Sequence, residues 1–470
     1  MKKLFALFLA VFAVCLVFAD EAKPKYVFLF IGDGMSTPQR MIADEFSRAL
    51  GRGQLVINTL PVHATTRTCS ANSLVTDSAA AATAIACGER TNNGRIGVNA
   101  DASKRLVSLA EVARDNGKKI GIVTSVTINH ATPAGFYGHR KRRSEYYAIG
   151  LDLIASKFDY FGGGGVAKHN DKTAPEYKGD IYDLAAKAGY KVVGTKEELL
   201  ALKPGCGKVL AYGDKDTILP FAIDRKKDND PIPTLAEFTA KGIELLQDGP
   251  NGFFMMVEGG AIDYAGHAND AATNLHEVIA FDMAVEVAVA FARKHPGETL
   301  IVVTGDHETG GMTMGFAGTG YALYVDRLIN QTCSAQKFMV KIGEMKKKNP
   351  ELSFDQVRGL LTESFGFKFS GNIKKDPMVL TAKETAALKT TFDAIPAFQS
   401  GKAAEENFKK KVLAFGLEAK RVISGKAGVG WTSGAHTGLP VLTTSMGAKA
   451  DLFHGFINNF DISAKMKSIF

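Results

Sequence analysis

Long apolar runs, tryptophan and cysteine are all scarce in this chain of 470 residues, which has one Trp and five Cys. Beyond residue 20 no segment is apolar enough to cross a bilayer, which takes about 20 consecutive apolar residues, so no span is expected after processing. There is no internal repeat. No zinc-finger spacing and no basic stretch interleaved with aromatics occurs, so nothing points to specific binding of nucleic acid. The Gly-x-Ser-x-Gly elbow of serine hydrolases is missing too, which removes the signature of a Ser-His-Asp triad on that scaffold. Phe161 to Gly165 superficially resembles a phosphate-binding loop, but it lacks the Lys-Ser/Thr ending and opens no helix. It reads as a flexible turn.

The start of the chain has a different character. Met1-Lys2-Lys3 is basic, Leu4 to Ala19 is an apolar run of 16, and Ala19 precedes Asp20. This is the pattern of a secretory signal peptide cleaved after Ala19, so a secreted or periplasmic protein is expected. Cys15 follows Val14, which is too large for a lipoprotein site. Loss of Lys2 and Lys3 lowers the formal charge from +8 to +6. The basic clusters at 140–143, 346–348 and 409–411 are short and read as solvated faces or loops. Four cysteines remain, Cys69, Cys87, Cys206 and Cys333; in an oxidising compartment they allow two disulfides in three connectivities, which the sequence does not choose between.

Short buried-type strands at Tyr26–Ile31, Ile120–Ser125, Phe253–Val257 and Leu300–Thr304 alternate with helical patterns such as Lys104–Asp115 and Ala271–Lys294. This predicts an α/β three-layer sandwich with a large, mainly parallel sheet flanked by helices, plus an inserted helical subdomain. The expected divisions are a leader at 1–19, a catalytic core at 20–319, a helical insert at 320–425 and a return to the core at 426–470. The return to the sheet is expected near Val429–Trp431. In parallel sheets functional groups gather beyond the carboxyl ends of the strands, and there the sequence places Asp33, Glu258 and Asp306-His307.

Four groups of residues have ligand or nucleophile chemistry. Asp263 and His267 are four apart, on one face if the segment is helical and within reach of one ion; a charged loop before a helix is the bland alternative. Asp306 and His307 lie in a glycine-flanked turn, which suits mixed oxygen and nitrogen ligation or a simple polar turn. Asp33 and His436 each follow strand-like runs. Ser78 sits in the first turn of an alanine-rich helix, where it or Asp77 can be a cap, or where the helix N-terminus can receive a phosphate. As a nucleophile Ser78 would need a metal or a base to take its proton.

The order Asp33, Asp77-Ser78-Ala79, His130-Ala-Thr132-Pro, Arg143, Glu258…Asp263…His267, Asp306-His307 and His436-Thr-Gly resembles the alkaline phosphatase family, from about Lys25 to Phe316 and again near Gly430. The resemblance implies hydrolysis of phosphate monoesters at alkaline pH through a phosphoserine on Ser78. It implies one zinc on Asp263, His267 and His436, a second on Asp33, Asp306 and His307, and a third ion, magnesium, on Asp33, Thr132 and Glu258. Arg143 would grip two phosphate oxygens, as its planar fork allows. Asp77, His130 and Tyr264 would stand around these groups. The family's best-known bacterial members carry Asp at the position of His130 and Lys at that of Tyr264, so the third site loses a carboxylate and the phosphate a cation. A homodimer is left open. His63, His139, His169, His276, His295 and His454 match no ligand position, and Trp431 reads as packing beside the site. A sulfatase would need Pro and Arg just after its nucleophile, where this chain has Ala79 to Ala82. Many phosphodiesterases of this type use threonine. A binding protein with a dead site would lack a catalytic element that is present here.

Overall fold

Alternation of apolar side chains in the strands decides the layering. The computed structural model describes residues 23–226, 229–316 and 318–470, so the leader read at 1–19 lies outside the described residues. Ten strands form the main sheet: β1 (Tyr26–Gly32), β2 (Val62–Arg67), β3 (Lys119–Thr124), β4 (Tyr160–Gly163), β5 (Tyr190–Val193), β6 (Lys208–Tyr212), β7 (Phe253–Gly259), β8 (Thr299–Gly305), β9 (Val441–Gly447) and β10 (Gly455–Asn458). Their spatial order is β10-β2-β9-β8-β1-β7-β3-β4-β6-β5. All neighbours are parallel except at β9, which runs against both β2 and β8. Every residue of β1, β7 and β8 is buried. Tyr26, Phe28 and Phe30 enter one apolar cluster, while Val27, Leu29 and Ile31 enter another on the opposite face. A strand buried on both faces needs helices on both, and this is the three-layer arrangement expected.

The helix Ala271–Lys294 covers the first face, capped by Asp270, whose side chain accepts from the Thr273 N–H. The helix Ser78–Cys87 covers part of the second, through Ala79, Ile85 and Ala86. Four further helices, Ala335–Lys348, Phe354–Phe365, Ala382–Asp393 and Lys402–Ala427, lie in the stretch read as an insert. Their Phe338, Phe365, Phe392 and Phe415 belong to the same apolar cluster as Phe28 and Phe30. Among the described residues no helix is long and apolar enough to cross a membrane.

Three expectations need correction. The helix read from Lys104 starts at Leu109, because Ser108 and Glu111 form a capping box and the Leu106 N–H bonds to the Gly97 carbonyl instead. The glycine run is no flexible turn: it begins inside β4, where neighbouring backbone leaves no room for a side chain. A Cβ on Gly163 would lie 2.3 Å from the Thr124 carbonyl, and one on Gly165 2.0 Å from that of Lys215. Val429–Gly430 does not rejoin the main sheet but pairs with Thr313–Met314; re-entry waits for β9. Cys69, Cys87, Cys206 and Cys333 all stand as free thiols.

Candidate active site

The central strands β8, β1 and β7 end side by side, and each delivers a carboxylate to one place. Glu258 is the next-to-last residue of β7, while Asp33 and Asp306 follow Gly32 and Gly305. All three are fully buried. The Asp33 carboxyl is held well above the usual carboxylate range by burial and by Asp306, Asp263 and Glu258. Glu258 is pushed up to about 8, mainly by burial, against a hydrogen bond from Thr124. Burial likewise takes Asp306 to about 7 although the Gly34 N–H bonds to it at 3.0 Å. So many buried carboxylates cannot all be ionised together without a cation.

Asp263 and His267 share one face of the helix Ala261–His267, with Asp263 Oδ2 and His267 Nε2 3.4 Å apart. His436 arrives from 169 residues later on a two-residue strand that pairs with Glu308–Thr309. Its Nε2 is 3.1 Å from His267 Nε2 and 3.5 Å from Asp263 Oδ1. Burial alone would raise the Asp263 carboxyl, yet the imidazoles of His436, His307 and His267 packed around it hold it well below the usual range. His307 Nε2 lies 3.3 Å from Asp33 Oδ1 and 3.2 Å from Asp306 Oδ2. Burial drives the His307 imidazole well below its ordinary value, so it is neutral and free to act as a ligand.

Three sets each bring single ligand atoms within 4.8 Å of one another: Asp263, His267 and His436; Asp33, Asp263 and His307; and Asp33, His130 and Glu258. Asp263 thus joins Asp33 and His307, where Asp306 was expected as the third group, although Asp306 also touches His307. His130 joins Asp33 and Glu258 in a set able to share one ion, where it was expected only to stand nearby. Thr132 donates to Asp33 Oδ2 at 3.1 Å. Glu258 Oε1 and Asp306 Oδ2 are buried and have no hydrogen-bond partner among the described residues. Orphaned carboxylate oxygens beside neutral imidazoles are a donor set that fits divalent cations, the nitrogen-rich end suiting zinc.

Ser78 is the first residue of its helix, and Asp77 is the cap, accepting from the Ala80 N–H at 3.0 Å. Capping by Asp77 leaves Ser78 Oγ free to face the carboxylates and imidazoles, 3.2 Å from His307 Nε2 and 3.5 Å from Asp33 Oδ1. Asp77 does more than cap: its Oδ2 accepts from Arg143 Nη1 at 3.1 Å and from the Gly94 N–H at 3.0 Å. Arg143 Nη2 donates to His130 Nε2 at 3.1 Å, so both arms of the guanidinium are held. Burial and the Arg143 charge push His130 down to about 3. Tyr264, on the same helix as Asp263, is 39% exposed and its ring stands 6.0 Å from that of His130.

Sequence reasoning passed over three supporting residues. Thr309 Oγ1 donates to Asp263 Oδ1 at 2.5 Å and lies 3.3 Å from His307 Nδ1. The Thr124 hydroxyl donates to Glu258 Oε2. Glu308, fully buried, accepts from Gln39 Nε2 at 2.7 Å and from the Gly311 and Met312 N–H groups, which fixes the turn carrying Asp306 and His307. Thr309 and Glu308 adjoin the quoted ligands, which was the available signal; Thr124 had none beyond its place at a strand end. Trp431 lies against Gly310, where a Cβ would come within 2.6 Å of the indole ring.

Comparison with known proteins gives the same picture from outside. The family model described as alkaline phosphatase matches residues 24–470. Alkaline phosphatase 3 of Bacillus subtilis is 30% identical over 455 residues, which cover 94% of this chain and 88% of the relative. The cold-active alkaline phosphatase from a psychrophilic Shewanella species superposes with a TM-score of 0.78 at 29% identity, covering 94% of this chain and 99% of the other. The Thermus thermophilus alkaline phosphatase gives 0.75 at 25% identity, with 95% and 91% covered. The chain therefore belongs to the alkaline phosphatase family and is a phosphomonoester hydrolase of that family.

Proposed function

We propose that this enzyme cleaves phosphate monoesters at alkaline pH by forming and hydrolysing a phosphoserine on Ser78. The observation that carries this reading is Ser78 Oγ itself, free of capping duty and 3.2 Å from His307 Nε2 at a helix N-terminus. The helix end favours the dianionic phosphate that must sit in front of it. Asp263, His267 and His436 would hold one zinc, Asp33, Asp306 and His307 a second, and Asp33, Thr132 and Glu258 magnesium. When bound, these ions lower the pKa of the serine hydroxyl and of the hydrolytic water and neutralise charge on the attacking and leaving oxygens. Arg143 contributes two parallel N–H donors to the phosphate, and Asp77 and His130 keep that fork oriented.

In the first step the Ser78 hydroxyl releases its proton to solvent, the Oγ–P bond forms as the P–O bond to the alcohol breaks, and the departing alkoxide takes up one proton from solvent, so no net proton is gained or lost. In the second, water attacks phosphorus, the Oγ–P bond breaks, and inorganic phosphate leaves with Ser78 restored. Positioning and charge neutralisation supply most of the rate in such transfers. The enzyme is read as secreted or periplasmic, its leader removed after Ala19.

The test is Ser78→Ala, assayed with an aryl phosphate and with phosphate binding measured in parallel. The variant should bind phosphate and zinc nearly as the parent does and lose most turnover, with no acid-stable phosphoserine trapped on quenching. Turnover close to wild type would sink the covalent route.

A further inference from the structure

The formal charge of +8 is almost all in one segment. Residues 320–425 hold 18 of the 57 Lys and Arg and 11 of the 49 Asp and Glu, a net +7, leaving 39 basic against 38 acidic residues elsewhere. Both lysine triplets fall here, one at the end of the helix Ala335–Lys348 and one within Lys402–Ala427. The sequence reading made them solvated faces. The structure puts them beside something apolar.

These two helices pack against each other and flank an open groove of about 410 Å³. Val340, Phe398, Phe408 and Leu413 line it, and Lys347 and Lys409 stand among them, with Glu344 the one acid in the lining. Val340 is 55% exposed and Leu413 45%, as is Leu417 one turn further along the same helix. The Lys347 ammonium lies over the Phe398 ring at 4.6 Å, so a positive charge sits directly on the apolar lining. Lys348 and Lys410 are exposed next in the chain. A solvated basic face needs no exposed valine and leucines, and a site for a soluble polyanion would not use them. Apolar side chains framed by lysines match a surface that is anionic outside and hydrocarbon beneath.

We infer that this face of the helical segment docks on an anionic lipid surface, with Val340, Leu413 and Leu417 entering the headgroup boundary and the exposed Lys347, Lys348, Lys409 and Lys410 facing the phosphates, while Lys346 is buried and donates to the Pro350 carbonyl. Such docking would hold the enzyme at an envelope by a peripheral contact sensitive to ionic strength.

The experiment is co-sedimentation of the mature enzyme with phosphatidylglycerol vesicles, with phosphatidylcholine vesicles, and with soluble polyglutamate in competition, at low and moderate salt. Binding should appear with phosphatidylglycerol alone and weaken with salt. At about fivefold per lysine removed, Lys409→Glu with Lys410→Glu should weaken it at least about twentyfold. Val340→Ser with Leu413→Ser should weaken it severalfold while leaving the charge unchanged. Phosphatase turnover of each variant, measured alongside, should equal that of the parent and so report a folded protein. No binding to phosphatidylglycerol at low salt overturns the inference. So does full competition by polyglutamate with no effect of the serine substitutions, which would assign the lysines to a soluble polyanion.

Discussion

His267 and His436 point their Nε2 atoms at each other across 3.1 Å, while each Nδ1 is anchored on a backbone carbonyl, Gly434 for His267 and Thr76 for His436, both at 2.8 Å. A carbonyl only accepts, so each Nδ1 carries the proton and each Nε2 offers a lone pair. Two facing lone pairs repel unless a cation sits between them, and Asp263 supplies the charge to balance it. Imidazoles aligned by carbonyls in this way are typical of metal ligands.

The first prediction follows from that pair. His436→Ala should release zinc, seen by elemental analysis, and lower turnover by more than the 10–100-fold that loss of an outer partner typically costs. Exhaustive chelation of the parent should abolish activity and lower Tm, since an ion that binds only the native state stabilises it. Zinc should restore activity better than magnesium alone. Full activity in protein shown to be free of metal would contradict the proposed site.

Arg143 is the second. Its two arms are oriented by Asp77 and His130, so the fork is arranged before phosphate arrives. Arg143→Lys keeps the charge but loses the paired donors, and kcat/KM should fall by roughly one to two orders of magnitude. Asp77→Asn should raise KM as well and lower Tm slightly, because Asp77 is at once a helix cap, an acceptor for Gly94 and the partner of Arg143. An unchanged KM in both variants would separate Arg143 from substrate binding.

Much of this was legible in the sequence, for reasons that differ by element. The strands β1, β7 and β8 are buried from end to end, so their apolar runs are unbroken and their acidic ends stand out. β9 was missed because Thr443, Thr444 and Ser445 are polar by sequence yet fully buried. Their hydroxyls are paired instead, Thr443 with Thr66 at 2.6 Å and with Thr304 at 2.8 Å. The glycines of β4 read as slack because close backbone approach leaves no trace in a one-dimensional pattern. At the site, ligands within one turn of each other, such as Asp263 and His267, could be paired from spacing alone. The sharing of Asp263 between two ligand sets, and the entry of His130 into a third, depend on which strand ends are neighbours.

His130 gives the third prediction. Its imidazole is neutral, brings a nitrogen within 4.8 Å of carboxylate oxygens of Asp33 and Glu258, and is a nitrogen donor where magnesium prefers oxygen. His130→Asp should lower the magnesium concentration needed for half-maximal activation after stripping. A carboxylate there would also pair with Arg143 more strongly than imidazole does, so phosphate release and turnover should change together with it. Identical magnesium titrations of the two proteins would leave the affinity to Asp33, Thr132 and Glu258.

Away from the site, Glu111 predicts an acid-side loss of stability. Burial opposes its ionisation, but the His139 imidazole 3.5 Å away, the hydrogen bond from the Ser108 N–H and the Arg105 guanidinium outweigh it and bring the carboxyl from 4.5 to about 2. The folded value lies below the unfolded one, so the stabilisation is complete above about pH 4.5 and disappears as pH falls from there toward 2. In chelated protein, where metal loss cannot mask the effect, Glu111→Gln should lower Tm by a few degrees at pH 7. The gap between variant and parent should close steadily below pH 4.5. A gap that stays constant with pH would assign the loss to packing.

Strand spacing also sets the scale of the chemistry. Glu258 is level with Ile31 and Thr124, and Asp33 and Asp306 each follow glycines paired across β1 and β8. Hydrogen-bonded strands lie about 4.8 Å apart, so the sheet is a ruler whose graduations are carboxylates. The reach between the ions it would hold is then a property of backbone pairing, as stiff as the middle of a ten-stranded sheet. Loops can be recut to suit another alcohol or another envelope while that gauge stays where it is.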